Sequence, residues 1–255
     1  MNLVIVGYGK MGKLYDSLFP AKYIVDICPV HNHVYFNHLD KFIRFGHPVD
    51  LAIVATPTPN HFETVKKLLN FNYNVLCEKP LCFSSEKARL LEKLAAHRNL
   101  ILYQSTLERY NPVIKYIKTN IALWNIKSIE SYRFGLKPAW NYSCDPKYDL
   151  GIHDVDLWFY LTQGKTAWQL HCGYGTQQRE MIIYLKNGEK ITVNLLDKYV
   201  VIKKQVIKFN NVNQGNPMVE MINNLMKKKT AMNELWSKEI EILERAQSGN
   251  SILLT

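Results

Sequence analysis

The sequence predicts an α/β protein of two domains: a doubly wound parallel sheet over residues 1–112, then over 113–255 an α+β domain built on a mostly antiparallel sheet. Three observations predict it. An apolar run, Leu3-Val4-Ile5-Val6, passes straight into the glycine-rich turn Gly7-Tyr8-Gly9-Lys10-Met11-Gly12 and then a helical stretch. Short buried-strand runs alternate with helix-period segments through residues 1–112, the pattern of βα units. Beyond Ile126 strands dominate, with Asn187-Gly188 as a hairpin signal between two of them.

Each element follows from local chemistry. The first helix is short and stops at Pro20. A second strand is expected over Tyr23–Cys28, and His31–Gly46 reads as a polar, aromatic-rich stretch holding one short helix. Asp50–Ala55 is a buried strand ending in Thr56-Pro57-Thr58-Pro59-Asn60-His61, with Thr58 or Asn60 available to cap a helix over Phe62–Asn70. Val75-Leu76-Cys77 is the next strand, and Ser85 is the expected cap of a helix reaching His97. Leu100–Tyr103 closes the parallel sheet, and Glu108-Arg109-Tyr110-Asn111-Pro112 marks the exit. The second domain is expected to hold strands at Ile126–Phe134, Trp168–Gly173, Glu180–Leu185, Lys190–Leu195 and Val200–Phe209, with helices at Ile152–Leu161 and Pro217–Lys228.

Composition bounds the function. At 255 residues the chain buries a real core without staples, and its five scattered cysteines form no C-x-x-C pair. The cluster His31, His33, His38 and His47 lacks ligand spacing, so no metal site is expected. The start runs directly into a strand, and no apolar run approaches the roughly 20 residues of a membrane span, so the expected location is cytoplasmic with no membrane partner. The net charge of +10 favours an anionic partner. Its lysines are dispersed, and the longest run, Lys227-Lys228-Lys229, closes a helix where cations suit the dipole. With no nucleic-acid motif, a dinucleotide and a phosphorylated substrate account for the charge.

The chemistry sits at strand ends. Gly7 allows the tight turn, Gly9 lets the backbone approach a pyrophosphate, and Gly12 lets helix and strand pack closely. The helix N-terminus then receives the phosphates. Asp26 is the candidate for the ribose hydroxyls; it comes early, and Cys28 is the alternative, which leaves NAD against NADP open. Lys79 ends an apolar strand at Glu78-Lys79-Pro80. Read alone, it is either a solvated loop lysine or a cation facing the cofactor crevice.

One further constellation lies in the second half. If the helical turn begins by Asp149, then Asp149, His153 and Asp156 fall at i, i+4 and i+7 on one face. A carboxylate four residues before a histidine orients an imidazole for proton transfer. The plainer reading is a capped helix with a satisfied polar histidine.

The glycine turn, Thr56-Pro57 with His61, Glu78-Lys79-Pro80, Glu108-Arg109-Tyr110-Asn111-Pro112 and Asp149-Leu-Gly-Ile-His153-Asp-Val-Asp156 occur in the order seen in the Gfo/Idh/MocA oxidoreductases. The likeness extends to Asn216-Pro217-Met218-Val219-Glu220, so the chain resembles that family over nearly its whole length. It most resembles the branch of UDP-N-acetylglucosamine 3-dehydrogenases, with a shortened C-terminal domain.

The resemblance implies a Rossmann domain and a nicotinamide-dependent oxidation or reduction at a sugar carbon, on a nucleotide sugar. It implies NAD or NADP bound by Gly7, Tyr8, Gly9, Lys10, Met11, Gly12 and Asp26, with Thr56, Pro57, His61 and Glu78 on the nicotinamide side. Lys79, Asp149 and His153 fall on the catalytic lysine, aspartate and histidine, and Arg109 and Tyr110 join them against substrate. A homo-oligomer through the C-terminal sheet is implied as well. An imidazole titrates near working pH while a lysine needs burial to serve as base, so the proton is assigned to His153, oriented by Asp149, with Lys79 polarising the oxygen. Two other readings stay open: a dinucleotide-binding regulator without catalysis, and a reductase of a non-sugar substrate.

Overall fold

The computed structural model describes residues 1–137, 144–209, 215–227, 236–246 and 251–254. Two compact units emerge, Met1–Ser105 with Met226–Glu241, and Thr106–Leu225 with Ile242–Thr255. They differ from a division at residue 112 in two places. Asn111 is drawn into the second unit because its side-chain amide donates to the Leu195 carbonyl at 3.1 Å. Met226–Glu241 returns to the first, where Trp236 meets Tyr103 edge-on at 5.3 Å and Glu239 accepts from Gln104 at 3.0 Å.

The first unit carries β1 (Leu3–Val6), α1 (Lys10–Leu18), β2 (Tyr23–Val25), β3 (Val34–Phe36), α2 (Leu39–Phe45), β4 (Leu51–Val54), α3 (His61–Asn70), β5 (Val75–Cys77), α4 (Ser85–His97) and β6 (Leu102–Gln104). Its sheet has the order β3-β2-β1-β4-β5-β6, all pairs parallel. Every residue of β1, β4 and β5 is buried, as expected for strands covered on both faces. The order reverses between β1 and β4, so the glycine turn after β1 and Thr56-Pro57 after β4 open at the switch point where ligands bind such sheets.

Several local expectations are corrected. The second strand ends at Val25, because Asp26 turns its carboxylate back onto the backbone N–H groups of Tyr8 and Cys28. The His31–Gly46 stretch contains a strand as well as its helix: β3 is three residues long with Val34 exposed, too short and too mixed to carry a period. A 3₁₀ turn over Thr58–Asn60 leads into α3, and neither Thr58 nor Asn60 supplies a side-chain cap. Ser84, not Ser85, caps α4, accepting from Lys87 N.

Three of the four neighbouring histidines have separate tasks. His33 pairs with Asp16 at 2.9 Å, His38 caps α2, and His47 stacks between Tyr23 and Phe45 at 4.6 and 5.8 Å.

The second unit begins at the Leu107–Tyr110 turn, where Asn111 caps α5 (Pro112–Asn120) by accepting from Val113 N. There follow β7 (Ile126–Gly135), α6 (Ile152–Thr162), β8 (Ala167–Tyr174), β9 (Gln178–Leu185), β10 (Lys190–Asn194), β11 (Tyr199–Ile202), β12 (Gln205–Lys208), α7 (Pro217–Lys227), α8 (Trp236–Arg245, which crosses between the units) and β13 (Ser251–Leu254). The sheet runs β12-β11-β10-β9-β7-β8-β13, antiparallel except for β7 with β8. Alternate residues of its strands join Val113, Ile117, Val155 and Leu161 of the helices in one core, in which Trp158 and Trp168 stack at 5.5 Å.

The expected strand Val200–Phe209 is a hairpin, β11 and β12, reversed at Lys203-Lys204. Both lysines take left-handed backbone, φ 50° and 67°, without the Gly or Asn that normally marks such a turn. The helix expected to reach Lys228 is described to Lys227, and Lys228 and Lys229 lie outside the described residues. The second sheet has seven strands. Among the described residues no helix is long and apolar enough to cross a membrane.

Candidate active site

In the first unit the glycine turn is built by close approach. Gly7 has φ +95°, and a Cβ there would lie 2.6 Å from Thr56 N; a Cβ at Gly12 would lie 2.1 Å from the Gly7 carbonyl. Only glycine fits either position. Gly9, by contrast, faces open space, with no atom of the described residues within 4 Å of a would-be Cβ.

Gly9 is also the N-cap of α1, and that end has neither a side-chain cap nor an acidic residue in its first turn. Its leading N–H groups, over Lys10, Met11 and Gly12, are therefore left for an anion, as a pyrophosphate requires. Beside it the Thr56 Oγ1 is buried without a hydrogen-bond partner among the described residues, a second polar group awaiting one. These features fit a dinucleotide.

Asp26 braces the turn. Its Oδ2 accepts from Tyr8 N at 2.6 Å and its Oδ1 from Cys28 N at 2.7 Å, which leaves further lone pairs for ribose hydroxyls. The Tyr8 hydroxyl donates to Asp16 at 2.6 Å, and that contact, followed by burial, pushes its pKa up to about 12.

At the next strand ends, His61 is fully buried between two loops. Its Nδ1 lies 2.8 Å from the Pro80 carbonyl and its Nε2 2.7 Å from the Thr56 carbonyl. Burial lowers its pKa against the pull of those carbonyls, so the ring is neutral near pH 7 and one nitrogen donates. Both ring nitrogens thus face backbone carbonyls, one of which accepts from the neutral ring, and neither is turned toward a cofactor. Glu78 likewise turns inward: Tyr15 donates to its Oε1 at 2.6 Å and Lys79 N to its Oε2 at 3.3 Å. Burial, then the Glu78 charge, holds the Tyr15 hydroxyl well above its usual range. Lys79 itself is half-buried just past β5, and its bond to Pro80 is cis.

In the second unit the helical run starts before Asp149, as the i, i+4 spacing requires. A π turn over Lys147–Gly151 carries Asp149 and passes directly into α6, whose first turn carries His153; both residues are half-buried. Tyr174 on β8 lies 3.4 Å from Asp149 Oδ2 and 3.1 Å from the Cys144 carbonyl, and burial, then the Asp149 charge, raises its pKa.

Asp156 is taken by another partner. Arg109 Nε donates to its two oxygens at 2.9 and 3.0 Å, and Nη2 donates to Oδ1 at 2.5 Å. The Tyr160 ring lies 5.0 Å from the Arg109 guanidinium. Tyr110, on the same turn, lines a separate cavity.

Asp154, next in the chain to His153, joins an ionic cluster that pattern reading missed. Arg133 on β7 bonds through Nε to Asp154 and through Nη1 to Glu108 Oε1 at 2.9 Å, and Arg179 stands 3.6 Å from the same Glu108 oxygen. Burial raises Asp154 to about 6 against the attraction of Arg133, whereas at Glu108 the two arginines overcome burial and hold the carboxyl low. The signal was present: Arg133 shares the inward parity of Ile129 and Ser131, where a charge must find a buried partner. Among the described residues no group of three or more His, Cys, Asp or Glu is placed to hold a metal.

A parallel sheet with an open glycine turn at its switch point defines a Rossmann-type dinucleotide-binding protein. Residues 26–106 match the profile of the GFO_IDH_MocA oxidoreductase family, NAD-binding Rossmann fold. Over those residues the chain is similar to the Gfo/Idh/MocA oxidoreductases. It is 24% identical over 181 residues to the rhizopine catabolism protein MocA of Rhizobium meliloti, an alignment covering 63% of this chain and 57% of that protein. The chain therefore spans little more than half the length of that curated relative.

Among solved structures, the fold is similar to UDP-N-acetylglucosamine 3-dehydrogenase from Acidithiobacillus ferrooxidans, with TM-score 0.76, 18% identity and 94% of each chain covered. It is also similar to myo-inositol 2-dehydrogenase from Lactobacillus plantarum, with TM-score 0.78, 16% identity, and 100% of this chain and 99% of that one covered.

Proposed function

We propose that this protein is an NAD(P)-dependent oxidoreductase that moves a hydride between nicotinamide and a carbinol or keto carbon of a sugar, specifically a nucleotide sugar of the UDP-N-acetylhexosamine kind at its 3-position. The observation that carries the reading is the first unit's cradle: an uncapped, acid-free helix end at an open Gly9, beside the unpartnered Thr56 hydroxyl. The family and the fold neighbours, which include sugar and inositol dehydrogenases, support the substrate class.

Bound nicotinamide supplies the hydride acceptor. Gly7–Gly12 and Asp26 bind and orient the dinucleotide, while His61 packs between the Thr56 and Pro80 carbonyls and donates to one of them. His153 takes the hydroxyl proton, Asp149 orients its ring, and Lys79 donates a hydrogen bond to the same oxygen. Arg109 positions rather than contacts, since its fork is engaged by Asp156. Half-buried residues on the sheet face opposite the second unit's core, among them Tyr132, Ile182 and Tyr184, support a homo-oligomer formed through that sheet.

The test is absorbance at about 340 nm with NAD and NADP against UDP- and dTDP-sugars, free glucose and inositol. Lys79→Ala and His153→Ala are expected to keep cofactor binding and to lose turnover by roughly 10²–10⁴-fold. Near-wild-type turnover in both variants removes the assigned roles.

A further inference from the structure

The second unit contains a cavity of about 570 Å³ that the glycine turn, Lys79 and His153 do not line. Three aromatic rings, Tyr110, Tyr116 and Phe209, and two lysines, Lys115 and Lys198, contribute to its wall. Its size is that of a small-molecule site, and its lining mixes flat apolar faces with cations. We propose that this cavity takes the nucleoside diphosphate part of the substrate, the base against the aromatic wall and the phosphates at the lysines.

The wall is built rather than incidental. Phe209 N donates to the Lys198 carbonyl at 2.9 Å, which fixes the ring's place next to that lysine. Phe209 also packs against Tyr116 at 5.3 Å and a tilt of 59°, and both rings remain only partly buried. An aromatic face left partly open is what a nucleobase stacks on. Lys115 is ion-paired with Glu220, and both lysines stand on the wall where the phosphates would lie. The Leu107–Tyr110 turn ties the cavity to the proposed chemistry, since it sends Arg109 to Asp156, three residues past His153, and Tyr110 to the cavity.

The inference rests on the sugar-nucleotide reading and is tested apart from it. UDP is titrated calorimetrically into the full chain with NAD saturating, so that the glycine turn is occupied, and uridine and inorganic pyrophosphate are titrated as controls. UDP is expected to bind at least tenfold more tightly than either fragment. Lys198→Glu and Phe209→Ala are each expected to weaken UDP by about tenfold or more, with NAD binding unchanged.

Absence of UDP binding, equal binding of pyrophosphate, or UDP binding that neither variant alters overturns the proposal. Turnover of free sugars or polyols without UDP binding likewise removes the cavity assignment and leaves hydride transfer standing. UDP binding lost in both variants, with no turnover of any sugar nucleotide, supports the cavity and removes the oxidoreductase reading.

Discussion

Arg109 grips Asp156 side-on, with three N–H···O contacts of 2.5 to 3.0 Å, and both side chains are nearly sealed, 13% and 4% exposed. Truncating one partner strands the other as a buried charge. Arg109→Ala is expected to cost about 3–5 kcal/mol in unfolding free energy by urea titration. The double variant Arg109→Met/Asp156→Leu, which strands no charge, is expected to recover most of that loss. A double variant no more stable than the single one would show that the ion pair is not what the first substitution broke.

Asp154 sets a pH dependence of definite sign. Its folded pKa of about 6 lies above the ordinary 3.8, so the folded state holds a proton that the unfolded chain has already released. The site's contribution is most favourable below about pH 4 and is lost as pH rises through about 6. Compared with Asp154→Asn, the wild type should lose relative stability across that window and run parallel above it. Urea midpoints at several pH values check this, and a difference that grows in the wild type's favour contradicts it.

His61 acts in the opposite direction. Burial depresses its folded pKa below the ordinary 6.5, so its contribution is complete above about pH 6.5 and is lost as pH falls through the folded value. His61→Gln should be less stable at neutral pH by about 1–3 kcal/mol, and its deficit should shrink on acidification. Thermal melts of both proteins in matched buffers read the effect.

The glycine turn separates folding from binding. Gly12→Ala drives a methyl into the Gly7 carbonyl and is expected to cost about 1–3 kcal/mol of stability. Gly9→Ala meets no protein atom, so its melting temperature should match the wild type while dinucleotide affinity falls. Equal affinity in Gly9→Ala would mean that no pyrophosphate approaches that backbone.

The half-buried sheet face away from the second unit's core predicts assembly. Ile182→Glu places a charge at the middle of β9 on the side away from the core. Light scattering should report an oligomer for the wild type and a monomer for the variant, with an unchanged melting profile at low concentration. A monomeric wild type dismisses the interface.

The parallel half was legible because its strands are continuous apolar runs and its turns carry Gly or Pro, so pattern and backbone need coincide at Gly7–Gly12, Thr56-Pro57 and Glu78-Lys79-Pro80. What escaped was set by tertiary contact. β3 is held by pairing with β2, not by its own period. The β11–β12 turn uses two lysines in a conformation that neither prefers. The site residues divided similarly: spacing singled out Asp149 and His153 as candidates, but only packing revealed that Glu78 serves Tyr15, that His61 is held between two carbonyls, and that Arg109 serves Asp156.

The stacked indoles of Trp158 and Trp168, with planes 13° apart, give the second unit an optical signature of its own. Paired transition dipoles this close couple, so a circular dichroism couplet should vanish when that core loosens. Trp236 meets Tyr103 edge-on in the first unit, while the exposed Trp124 is open to a dissolved quencher. The couplet therefore follows the second unit's core in the unmodified chain, without attaching any label.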